Sequence, residues 1–256
     1  MRTTLLVFLF ASLFASSAQS QETSKIINGK WATSRMKKYV VSLQWNSLPY
    51  PKHFCGGIFI APGVVLTAAH CVENKGVSNF TVRSGGTVVY NLRRAFRVKQ
   101  VIIHKDYSRK TLENDVALVM LRRRKRFGSY PILGRVSRKN AKVFGFGTFS
   151  NETYVQSWLM REAKIPVHTQ EFCEKSLLGL FDSNTMICAG KLNSNKTSND
   201  GAAACFGDSG GPLIQGRTVV GVVSWGLGKR CLNHQYPGVY ARVDSVREWI
   251  YSHIND

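Results

Sequence analysis

Ten short runs of alternating or β-branched apolar residues recur along the chain: YVVSLQW, GGIFI, GVVLTAA, FRVKQVIIH, DVALVML, AKVFGFG, AKIPVH, GPLIQG, TVVGVVSWG and GVYARV. Clusters of Gly, Asn, Ser and Pro separate them, and this rhythm predicts an all-β fold. The pattern changes at the end. In DSVREWIYSHIND, Val246, Trp249, Ile250 and Ile254 fall at helical spacing behind Asp244, which is placed to cap a first turn. An amphipathic helix is therefore predicted over residues 244–254. The basic run RRRKR at 122–126 lies between an apolar strand and a Gly-containing turn and marks the seam between two halves. No internal repeat or low-complexity tract interrupts the pattern.

The first twenty residues follow a different logic. Arg2 precedes an apolar run from Leu5 to Phe14, and small residues lead to Ala18-Gln19-Ser20, the order of a secretory signal peptide over 1–20. That run is about half of the roughly 20 residues a membrane-spanning helix needs, so export rather than anchoring is expected. No later segment has the length and apolarity of a span, and the product is expected to be extracellular. Cys55, Cys71, Cys173, Cys188, Cys205 and Cys231 then sit in an oxidising compartment and read as three disulfides, in one of fifteen connectivities. Their spacing is not that of a zinc site. The remaining chain, about 230 residues, suits one large or two small β-rich domains.

Charge changes the picture of partners, not of fold. Thirty-five basic and 15 acidic residues give a formal charge of +20, concentrated in NLRRAFRVK, SRK and RRRKR. Such runs point to an anionic glycan or an acidic protein. No nucleic-acid recognition module is present, so nucleic acid is not expected as a partner. Asn79, Asn151 and Asn195 each open an N-x-Ser/Thr sequon and are glycosylation candidates.

Three segments carry chemistry. In TAAHC, His70 follows an apolar strand and abuts Cys71, which anchors its backbone. In NDVALVML, Asp115 opens a strongly apolar strand, where a carboxylate is costly to bury unless a donor such as an imidazole N–H satisfies it. In GDSGGP, glycines around Ser209 let the backbone turn tightly and leave N–H groups free to face a ligand. Serine needs a base to take its proton, and the base needs a partner that fixes its tautomer. His70, Asp115 and Ser209 supply these roles. Taken with their chain order, the three segments resemble the chymotrypsin/trypsin family of serine endopeptidases, a similarity running from Ile26 onward.

The resemblance implies two six-stranded antiparallel β-barrels with a C-terminal α-helix and the active site in the cleft between barrels. The first barrel would span about 26–128 and the second about 129–243, within a peptidase domain of 26–256. His70 would act as general base, Asp115 as its orienting partner and Ser209 as nucleophile, with Gly207 and Ser209 forming the oxyanion hole. Ser224, Trp225 and Gly226 would pair with the substrate backbone. The disulfides would join Cys55 to Cys71, Cys173 to Cys188 and Cys205 to Cys231. SKIINGK resembles the family's activation site: a short propeptide at 21–25 would be cut after Lys25, and the new Ile26 ammonium would pair with Asp208. Phe146 and Asn28 depart from the family's usual tryptophan and glycine. No metal or cofactor is expected, since FTVRSGGTVVYNLRRAF offers no carboxylate for calcium.

The same resemblance places Ala203, six residues before the nucleophile, at the base of the specificity pocket, with Gly226 and Gly238 as its walls. Trypsin-like members carry Asp there. An unpaired cation in an apolar slot is disfavoured, so a preference for Phe, Tyr, Leu or Met is expected. Lys229, Arg230 and Phe206 would lie near the mouth. Such a pocket would not recognise Lys25, so a separate trypsin-like protease is expected to activate the chain. Two alternatives stand beside this reading: a cascade protease of narrow specificity, and a non-catalytic homologue that binds anionic partners.

Overall fold

The computed structural model describes residues 26, 28–47, 49, 51–148, 157–195, 197–198, 200–228, 231 and 235–254. The predicted signal peptide (1–20), the 21–25 propeptide with Lys25, and Asn151, Lys229 and Arg230 lie outside the described residues. The chain opens with a short strand, β1 (Lys30–Trp31), and a 3₁₀ turn over Arg35–Tyr39. Six strands follow: β2 (Val40–Trp45), β3 (Lys52–Ala61), β4 (Val64–Thr67), β5 (Phe80–Ser84), β6 (Arg94–Ile103) and β7 (Ala117–Leu121). They close into an antiparallel barrel in the order β2-β3-β4-β7-β6-β5, and a one-turn helix, α1 (Ala69–Val72), leaves β4.

After the basic seam come β8 (Ile132–Leu133), β9 (Asn140–Gly145), β10 (Arg161–Pro166), helix α2 (Gln170–Ser176), β11 (Met186–Ala189), β12 (Pro212–Gln215), β13 (Thr218–Trp225), β14 (Gly238–Arg242) and helix α3 (Arg247–Ile254). The second sheet runs β1-β10-β9-β12-β13-β14-β11, with β8 parallel to β13. A bridge between Val167 and Ala189, flanked by His168 N–H donating to Cys188 O at 3.0 Å, brings β10 to β11. Six strands of the eight therefore curl into the second barrel. The two-barrel, all-β architecture with a closing helix is the one the sequence predicted.

The core is continuous across the seam. Leu43, Ile58, Phe59 and Leu118 of the first barrel share one apolar cluster with Phe144, Met160 and Val222 of the second. The chain ends are exchanged between the halves. β1 pairs with β10 of the second barrel, whereas Trp249 of α3 packs on His104, just after β6 of the first, with ring centroids 4.7 Å apart. The opening residues assigned to the first barrel thus pair with the second sheet.

Several elements differ from expectation. Helix α3 begins at Arg247, and Asp244 is not its cap. The Asp244 carboxylate instead accepts from the Arg242 guanidinium at 3.0 Å, which holds it in the preceding turn. Helix α2 and strand β11 were not anticipated: α2 buries only Cys173 of its seven residues and β11 is four residues long, too short for either period to register. The two-residue strands β1 and β8 and strand β5 also fell outside the predicted runs, although Phe80 and Val82 of β5 are buried on alternate positions. All three disulfides join the partners the family resemblance implied.

Candidate active site

The site lies where the ends of β4, β7 and β13 meet the loop before β12. Val116 and Leu118 draw β7 into the core and carry Asp115 with them, so its carboxylate is fully buried. Three donors satisfy it: His70 N–H to Oδ1 at 2.9 Å, His70 Nδ1–H to Oδ2 at 2.7 Å and Ser224 Oγ–H to Oδ2 at 2.5 Å. The Nδ1 bond fixes the imidazole tautomer and leaves the Nε2 lone pair as the basic site. His70 is itself anchored on α1 by the Cys55–Cys71 disulfide. Its Nε2 lies 3.7 Å from Cys71 Sγ. The sulfurs of Cys55 and Cys71 cluster with this nitrogen, but as a disulfide they offer no thiolate to a metal.

Ser209 is held from both sides. Its carbonyl accepts from Gly56 N–H of β3 at 2.7 Å, and the next residue, Gly210, has φ of +77°. A Cβ on Gly210 would collide with Thr67 Oγ1 and stand 3.1 Å from Ala68 N, so only glycine lets this loop sit against the strand leading to His70. Ser209 makes no hydrogen bond to His70 in this conformation, a contact that free sites of this type often complete only with substrate bound.

The loop that carries Gly207 and Ser209 has a support that sequence reasoning missed. Gly207, with φ of +92°, has its carbonyl oxygen held by His53 Nε2–H at 2.8 Å. Ser42 Oγ–H donates to His53 Nδ1 at 2.7 Å, and Gln44 Nε2 donates to Ser42 Oγ at 2.9 Å and to Val89 O at 2.9 Å. All three side chains are buried. Burial lowers the His53 pKa to about 4, against the carbonyl bond, so the ring is a neutral donor through Nε2. Turning this carbonyl toward the first barrel fixes the peptide plane of the loop. Nothing about His53 in KHFC singled it out, because its role depends on a residue far along the chain. Phe146 packs edge-on against this ring at 5.5 Å, which gives the departure from tryptophan a place in the same support.

Asp208 is fully buried beside Ser209. It accepts from Gly147 N–H at 2.7 Å and Cys205 N–H at 2.9 Å. Burial, only partly offset by these two amides, pushes its pKa up to about 7. A Cβ on Gly145 or Gly147 would collide with its carboxylate, which explains both glycines of GFG. Among the described residues no basic side chain pairs with it. Ile26 is fully buried in the cluster containing Val143, Leu213 and Tyr240. Asn28 adopts φ of +58°, a region asparagine tolerates better than most residues, and its amide donates to Gly201 O at 2.5 Å.

A cavity of about 170 Å³ opens beside Ser209. Its wall includes Ala204, Val223, Trp225, Gly226, Gly238 and Tyr240, and among the described residues no charged one lines it. The missing Cβ of Gly226 faces open space, and Phe206 stands half-exposed at the rim. Ala203 is buried against Cys205 and Cys231, two residues that line the cavity. The geometry thus gathers a buried carboxylate, an oriented imidazole, a hydroxyl in a glycine-rich turn and an uncharged slot.

The family model described as Trypsin matches residues 26–250. Trypsin eta of Drosophila melanogaster is 33% identical over 264 residues, covering 96% of this chain and 94% of its own length. Trypsin of Sarcophaga bullata is 36% identical over 235 residues, covering 88% and 87%. Among solved structures, mouse neuropsin, a serine protease expressed in the limbic system of the brain, superposes with a TM-score of 0.77 at 25% identity, covering 89% of this chain and 99% of its own.

Proposed function

The chain belongs to the trypsin family of serine endopeptidases, and from that premise we propose that it hydrolyses peptide bonds after large apolar residues, through an acyl-enzyme on Ser209. The observation that carries the specificity is the absence of charge among the described residues lining the cavity beside Ser209, in a chain whose relatives are named trypsins. A Lys or Arg side chain entering this slot would leave its charge unpaired, and even 2–3 kcal/mol of penalty is about a hundredfold in rate. A Phe or Leu side chain gains roughly 1.5–3 kcal/mol by burial there.

In this reading His70 takes the Ser209 proton as the hydroxyl attacks the carbonyl carbon, and Asp115 stabilises the imidazolium. The amides of Gly207 and Ser209 bind the developing oxyanion in a loop that His53 already holds. The imidazolium then protonates the leaving amine. Water repeats the sequence to release the acid. Ser224, Trp225 and Gly226 align the substrate backbone along β13. A zymogen fits Asp208: cutting after Lys25 would deliver the Ile26 ammonium that a fully buried carboxylate calls for. Export through the 1–20 segment fits the three disulfides, and the exposed Asn79 and Asn195 are open to glycosylation. No described helix is long and apolar enough to cross a membrane.

The test is a chromogenic peptide panel, run on protein cut after Lys25 by trypsin, with Ser209→Ala treated identically. Ser209-dependent turnover after Phe, Tyr or Leu, at least tenfold above Lys and Arg, is expected. Turnover confined to Lys and Arg would discard the pocket assignment while keeping the mechanism.

A further inference from the structure

The charge of this protein is divided unevenly between its barrels. Residues 26–128 contain 19 Lys and Arg against four Asp and Glu, whereas residues 129–256 contain 14 against ten. The excess is also localised within the first barrel. In the β6–β7 register Val98 faces Leu121 and Ile103 faces Ala117. The start of β6, with Arg94 and Arg97, and the 122–126 run therefore share the end of the barrel away from Asp115. Seven residues of extended chain separate Arg122 from Asp115, roughly 20 Å along the strand.

These basic segments are packed together rather than scattered. Arg122 N–H donates to Arg97 O at 3.0 Å. The Arg124 backbone rests against Gly63 of the β3–β4 turn, where an added Cβ would meet it at 3.3 Å. Burial, and then the positive charge of Arg94, hold Lys125 below the usual ammonium range, and its ammonium lies over the Phe127 ring, 4.8 Å from the centroid. A cleft of about 450 Å³ enters this face, lined by Arg97, Arg122, Asn46, Ser78 and Thr81 among others. Thr81 lies directly across from Arg97 in the β5–β6 register, and its hydroxyl oxygen is buried without a hydrogen-bond partner. Arg97, Arg122, Asn46 and the unpaired Thr81 hydroxyl thus line one notch, together with the apolar Val77, Phe80 and Val98.

We propose that this end of the first barrel is a docking site for a sulfated polysaccharide, with one sulfate seated in the notch between Arg97 and Arg122. The cations are mostly arginine: Arg93, Arg94, Arg97, Arg122, Arg123, Arg124 and Arg126 outnumber Lys99 and Lys125. A guanidinium fork pairs with tetrahedral oxyanions bidentately, and its weak hydration favours that exchange over an ammonium. The line of charge along β6 and the adjoining loop suits a linear polyanion. Because the site is remote from Ser209, it would concentrate the protein on a polyanionic matrix and leave the cleft open.

The test is titration calorimetry of a size-defined heparin octasaccharide against the full chain in 0.15 M NaCl. One variant, Arg97→Gln with Arg122→Gln and Arg124→Gln, removes charge from the notch. A control, Arg135→Gln with Arg138→Gln and Lys164→Gln, removes the same charge from exposed positions of the second barrel. The notch variant is expected to bind at least tenfold more weakly, with a shallower salt dependence, and the control less than twofold. Thermal unfolding shows whether the notch variant is folded, and the single substitutions Arg97→Gln and Arg122→Gln replace it otherwise. Equal losses in both triple variants would overturn the proposal in favour of a diffuse positive field. So would binding of a fully desulfated chain, or of a DNA oligonucleotide of equal charge, as tight as that of the octasaccharide.

Discussion

Asp208 and His53 are buried titratable residues that pull the pH dependence of stability in opposite directions. Burial raises the folded pKa of Asp208 to about 7 from the ordinary 3.8. Its contribution is therefore fully present below about pH 4 and is lost as the pH rises toward 7, a loss of about 4 kcal/mol at 1.36 kcal/mol per unit. Burial lowers the His53 pKa to about 4 from the ordinary 6.5. Its contribution is present above 6.5 and lost as the pH falls toward 4; His104 and His168, also held down by burial, act in the same sense. Urea unfolding of the uncut Ser209→Ala chain should show both slopes. Adding Asp208→Asn should remove the fall between pH 4 and 7 and leave only the histidine-driven rise. Ser224 permits a second test at this scale. Its hydroxyl is one of three donors to Asp115, and a hydrogen bond to a charged group contributes about 1.5–3 kcal/mol. Ser224→Ala should lower kcat about tenfold or more with a smaller change in KM, measured on the best peptide of the panel.

At the level of elements, β13 carries both the Asp115 donor and the wall of the slot. Its end at Gly226 is open, so a side chain there would enter the cavity without meeting protein atoms. Gly226→Val should fold normally, by thermal melting, and should cut turnover after Phe at least tenfold while sparing a substrate with Ala at the same place. The closing helix offers a stability test. Ile250 is fully buried in the cluster that spans the seam, and Ile250→Ala should cost about 2–5 kcal/mol in urea unfolding.

Legibility differed between elements for physical reasons. Strands buried on one or both faces announced themselves through β-branched residues, and TAAHC, NDVAL and GDSGGP marked the site because each packs unusual chemistry into a few adjacent positions. The chain Gln44–Ser42–His53–Gly207 did not show, because each link joins residues that have no common local pattern. Asp244 looked like a cap until the Arg242 guanidinium claimed it.

At the scale of the whole molecule, the two barrels share more than a cleft. The oxyanion loop of the second is hung from His53 of the first, and His70 of the first is aligned by Asp115, which Ser224 of the second contacts. Neither half holds a complete set of working groups. The exchanged chain ends add a temporal dimension to this interdependence. The first strand must wait for β10 before it can pair, and His104 stays uncovered until Trp249 of helix α3 arrives. During vectorial synthesis on a ribosome, the first barrel would therefore emerge with an unfinished flank and remain so until helix α3 is outside the exit tunnel. The cleft would assemble as a late, all-at-once event, and a first barrel standing alone would present no working site.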